Sequence, residues 1–82
     1  MSVYYFDLRD GDGLVVDEEG LELHDTGAAQ DEAARTLAGF AWDAARQYDG
    51  SGHQMAIEVR DTRGPVMEVK FSFEIVRSSR PA

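Results

Sequence analysis

Apolar and polar residues alternate along two neighbouring stretches in the C-terminal part of this 82-residue chain. Met55, Ile57 and Val59 share one side of the segment from Gln54 to Arg60, and Met67, Val69, Phe71, Phe73 and Ile75 share one side of Val66 to Val76. Between them stand Glu58, Arg60, Glu68, Lys70, Ser72 and Glu74. Successive side chains of a strand point to opposite faces of its sheet. These strands therefore have one face that must be covered and one that meets water. Any fold for this chain has to supply that cover.

One segment is long enough to do so. Between about Thr26 and Tyr48, the residues Ala33, Leu37, Phe40, Ala41, Ala44 and Tyr48 recur at helical spacing. Asp25 or Thr26 can cap the start by accepting from an unpaired N–H, and Asp31 and Glu32 stand near the positive end. The alanines keep the stripe shallow, which lets the helix lie close to a sheet. Asp49-Gly50-Ser51-Gly52 ends it as a loop.

Before the helix, Val3 to Arg9 reads as a strand with Tyr4, Phe6 and Leu8 on one face and Val3, Tyr5 and Asp7 on the other. Asp10-Gly11-Asp12-Gly13 is a turn in which both glycines accept positive φ, and Leu14 to Val16 is the return strand. Asp17-Glu18-Glu19-Gly20 makes a second turn into a short extended piece, Leu21 to Leu23. Asp61-Thr62-Arg63-Gly64-Pro65 joins the two C-terminal strands. The expectation is an α+β fold in two layers, hairpin–helix–hairpin, with three to five antiparallel strands packed on one long helix. One domain spans residues 1–76, and 77–82 form a frayed tail. The pattern does not give the strand order.

Charge divides the chain. Asp7, Asp10, Asp12, Asp17, Glu18, Glu19, Glu22, Asp25, Asp31 and Glu32 face Arg9 alone, whereas the rest carries six acids and seven bases, for a net −8. Such a surface repels phosphate backbones and anionic membranes, so neither nucleic acid nor membrane is expected as a partner. A basic protein is favoured electrostatically, with Asp10, Asp12, Asp17, Glu18 and Glu19 as the acidic patch. Surface acid excess also serves solubility alone. There is no cysteine, which removes disulfides and thiolate metal sites. With so small a core, a second copy of the chain is the most available source of extra burial. No signal peptide is read at the start and no apolar run approaches a bilayer span, so a cytoplasmic protein is expected. Arginine in preference to lysine, with abundant alanine and glycine, suggests a bacterial source.

The residue patterns assign no catalytic, cofactor-binding or metal-binding residue. Asp10, Asp12, Gly13 and Glu19 imitate part of a calcium loop, but Leu8 falls where its first acidic ligand belongs and a strand precedes it. His24 and His53 have no neighbouring nucleophile. The carboxylates lie in turns and on polar strand faces, without the apolar pocket that an acid–base pair requires. A non-enzymatic protein is expected.

Trp42 stands about 140° around the helix from Leu37, the centre of the apolar stripe. Ala38 and Ala45 adjoin it, with Arg35 and Arg46 at the flanks. An aromatic residue among small residues and arginines is the composition of an interaction spot. Loops folding over it would account for it equally well. Tyr5, on the wet sheet face beside Val3, is a second candidate contact. The expected function is a protein-interaction module that self-associates, as a homodimer, through the Trp42 face or an open sheet edge.

Tyr4-Tyr5-Phe6-Asp7-Leu8-Arg9-Asp10-Gly11, Asp17-Glu18-Glu19-Gly20-Leu21-Glu22-Leu23, Ala28-Ala29 and Ala56-Ile57-Glu58-Val59-Arg60-Asp61 resemble a family of short bacterial proteins catalogued as a domain of unknown function. That resemblance implies a small cytosolic protein and brings no site residues with it. More distantly, Tyr4 to Phe6, Asp10-Gly11, Gly20, Asp25-Thr26 and Glu32-Ala33 are similar to the N-terminal domain of HicB-type antitoxins. This likeness implies an acidic subunit that grips a small basic ribonuclease. The Pro-Gly-Cys stretch of those antitoxins is not found before the helix, and no DNA-binding segment is read after the second hairpin.

Overall fold

The first strand of the chain, β1 (Ser2–Asp10), lies inside the sheet and not at its margin. The structure, a computed structural model, describes residues 1–47 and 52–79. After β1 come β2 (Gly13–Val15), β3 (Leu21–Leu23), the helix α1 (Thr26–Gln47), β4 (Gly52–Asp61) and β5 (Gly64–Glu74). The five strands form one antiparallel sheet in the order β2-β1-β4-β5, with β3 also on β1, and α1 packs against it. This is the expected α+β architecture.

β1 is paired piecewise. Leu8 to Asp10 pair with β2, Ser2 to Tyr4 pair with β3, and Tyr5 to Asp10 pair with β4. Gly11, at φ 60°, makes the tight turn into β2, while Gly13 does not use the positive φ the turn pattern allowed it. The second hairpin is tighter than its sequence suggests, because Asp61 already pairs with Gly64. Pro65 consequently enters β5, where the edge position tolerates its missing N–H. A bulge follows at once: Val59 pairs with Met67 and Arg60 with Pro65, leaving Val66 over. β5 stops at Glu74, so Ile75 and Val76 fall beyond it.

The helix starts on Asp25, whose carboxylate accepts the Ala28 N–H at 2.8 Å. Its first turn carries no acid, so Asp31 and Glu32 lie too far along to act on that end. The buried row is Ala29, Ala33, Leu37 and Ala41, four residues apart, which places them one above another on a single line. They meet Tyr4, Met55, Ile57 and Val59. Phe40 departs from the predicted stripe and is 43% exposed. It lies a quarter-turn off the alanine line, on the flank where three-residue β2 is too short to reach over it. Tyr48 and the loop over 49–51 lie outside the described residues, as do 80–82 of the tail.

Candidate interaction surfaces

Between its pairings with β2 and β3, β1 has no strand on the side away from β4, and a side chain takes the strand's place. The Asp17 carboxylate accepts the Phe6 N–H at 3.1 Å and the N–H groups of Glu19 at 3.0 Å and Gly20 at 3.2 Å. The Asp17 N–H donates to Asp7 at 2.9 Å, and its carbonyl accepts Arg60 Nη2 at 2.8 Å. Arg60 also pairs with Asp7 at 2.9 Å and lies 4.5 Å over the Tyr5 ring. Burial alone would raise the Asp17 carboxyl, but three N–H donors and the Arg60 charge outweigh it and hold the group below its ordinary value of 3.8. Hydrogen bonding to Asp7 raises the Arg60 guanidinium above its ordinary value.

This knot redistributes two sets of predicted residues. Tyr5 is half-buried, with Arg60 over its ring and Gly20 beside it, and lies on the sheet face away from the helix that carries Trp42. Asp17 spends its whole polar complement inside the fold, which leaves Glu18 and Glu19 as the exposed acids of that turn. Asp12 is exposed in the β1–β2 turn, and Asp10 is hydrogen-bonded to His53 of β4. An Asp followed three residues later by Gly is the signature of a side chain that closes its own turn, and it could have marked Asp17 as structural.

Trp42 is 69% exposed. With Ala38 and Ala45 it forms one wall of an open groove of about 440 Å³, whose other wall is Val69 and Phe71 of β5. Arg35 pairs with Asp31 and Glu32, and Arg46 with Asp43, so both arginines belong to the solvent side of the helix. No predicted loop covers the tryptophan among the described residues. The β5 wall was missing from the sequence reading, because alternation marks the face of Phe71 but not its position at the margin. Among the described residues β5 pairs only with β4. Alternate residues along it therefore turn N–H and C=O groups outward, as any unpaired edge does. Glu68 and Glu74 are balanced there by Lys70 and Arg77.

The opposite flank of the helix has another character. Phe40 (43% exposed), Val15 (65%) and Val16 (51%) surround an open groove of about 520 Å³, with Glu18 and Glu19 at its lip. Phe6, Leu8 and Ile57 form its floor. Among the described residues Asp7 is the one buried carboxylate and pairs with Arg60, and no three His, Asp or Glu side chains stand together as a metal site would require. No described helix is long and apolar enough to cross a membrane.

Residues 3–72 match the family model described as Domain of unknown function (DUF6894). No curated protein and no solved structure matches the chain.

Proposed function

The chain belongs to that family of unknown function, and we propose that it is a non-enzymatic protein-interaction module that self-associates through β5 and the adjoining Trp42 groove. The observation that carries this reading is an 11-residue strand that, among the described residues, pairs with β4 alone, beside an exposed tryptophan and an apolar shelf. An edge of this kind adds a strand readily, and large aromatics set in shallow apolar surroundings dominate interface energies. Charge favours a second copy as the added strand. The acids that repel like chains cluster before residue 33, whereas β5 carries only Glu68 and Glu74 against Lys70, with Arg77 just beyond it. Light scattering over a range of concentrations tests the proposal: a mass near twice 9.1 kDa supports it, and a monomer at millimolar concentration rejects it.

A second reading draws on the groove beneath Phe40. Its apolar floor with Glu18 and Glu19 at the lip suits a small basic protein whose contact residues mix arginine or lysine with apolar side chains. This is the antitoxin-like role, an acidic subunit holding a basic partner. The sequence likeness to HicB-type antitoxins leans the same way, as does the presence of apolar surface under the acids, which solubility alone does not call for. Retention of a small basic host protein at low salt, with release at high salt, supports this role. A bacterial, cytoplasmic setting is part of both readings.

A further inference from the structure

We infer that two copies join β5 to β5 antiparallel about a two-fold axis through Val69, setting Glu68 of each copy opposite the partner's Lys70. The inference rests on the self-association proposed above and specifies its register. A two-fold axis perpendicular to the sheet keeps both helices on one face and passes through a single residue of β5. Each choice of that residue fixes every cross-strand pair. Centring on Glu68 or on Lys70 lays that charge against its own copy, and centring on Phe71 opposes Glu68 to the partner's Glu74. Centring on Met67 puts Pro65, which has no N–H to give, inside the ladder.

Two centres oppose unlike charges. At Ser72, Lys70 meets the partner's Glu74, but β5 ends at Glu74, so only the stretch from Lys70 to Glu74 can pair. The Trp42 groove, built on Val69 and Phe71, is then carried away from the axis. At Val69 the regular ladder runs from Met67 to Phe71 and stops before the bulge at Val66. Both Glu68–Lys70 contacts flank the axis, Met67 packs beside the partner's Phe71, and the two Trp42 grooves face one another across it. Charge admits both centres, and groove position selects Val69.

The chain has no cysteine, so single substitutions report the register directly. Opposed residues of antiparallel strands stand about 4.5–5.5 Å apart at Cα, within disulfide reach. Under mild oxidation Val69→Cys should become a covalent dimer, whereas Lys70→Cys and Ser72→Cys should not. Charge exchange tests the same point without touching the apolar face. Glu68→Lys should weaken dimerisation roughly tenfold at low salt, and Glu68→Lys with Lys70→Glu should restore it. Cross-linking at Ser72, or a double exchange no better than the single one, overturns the register while leaving self-association standing. A wild-type chain that is monomeric by light scattering overturns both.

Discussion

The Asp17 carboxylate accepts the Phe6 N–H at 3.1 Å where the side of β1 away from β4 lies between its pairings with β2 and β3. Replacing Asp17 by Ala strands that donor together with those of Glu19 and Gly20. We expect a loss of about 1–2 kcal/mol, because the Phe6 and Gly20 groups are partly shielded from water and the Glu19 group is not. Thermal denaturation should show a fall of roughly 5–15 °C. An unchanged melting temperature would mean that water replaces the carboxylate without cost.

Acid should act through the same group. The folded chain holds the Asp17 carboxyl below 3.8, so its contribution is complete above that unfolded value and disappears as pH falls through the lower folded one. Between about pH 5 and about pH 3 the wild type should therefore lose more stability than Asp17→Asn, which has no carboxyl to protonate. Parallel loss in the two proteins would place the acid sensitivity elsewhere.

Gly20 has φ 77°, and a Cβ there would stand 2.7 Å from Val3 Cγ1 and 2.9 Å from Tyr5 Cε1. Gly20→Ala thus combines left-handed backbone strain of about 1–2 kcal/mol with displacement of the Tyr5 ring from under Arg60. The urea midpoint should drop with an unchanged slope. A midpoint equal to that of the wild type would show that the second turn can shift freely.

Trp42→Ala separates interaction from folding. A side chain 69% exposed contributes little to the monomer, so stability should stay within about 0.5 kcal/mol. The mass by light scattering should fall toward 9.1 kDa. A large loss of stability, or an unchanged dimer, would remove Trp42 from the interface.

Glu18→Lys with Glu19→Lys addresses the other flank. These residues stand at the Phe40 groove, away from β5. Retention of a basic protein at low salt should be lost while self-association persists. If both change together, the two surfaces are not independent.

Most of the layer structure was legible in the residues because alternation and helical spacing each state which side of an element is apolar. Met55, Ile57, Val59 and Leu37 all lie in the core where those periods put them. Periodicity says nothing about neighbours, so the interior place of β1 and the edge place of β5 could not be read, and with them the second wall of the Trp42 groove. Phe40 misled because a helical stripe is wider than the strip of sheet available to cover it. Tyr5 looked like surface chemistry because Arg60, which lies over its ring, is remote in sequence, whereas Asp17 is held mainly by neighbours, Phe6, Glu19 and Gly20, in a pattern the residues do show.

The interior placement of β1 also sets an order of events in folding. Tyr5 must find Arg60, and Asp10 must find Met55, so the strand made first joins its main partner only after the helix and β4 have been made. The β4–β5 hairpin, with its tight turn, closes a short loop and can form by itself early, whereas β1 docking closes a long one. During synthesis the acidic N-terminal third therefore has only the three-residue strands β2 and β3 to pair with β1 until β4 is made. Its high like-charge density keeps that waiting segment extended and discourages it from sticking to its neighbours.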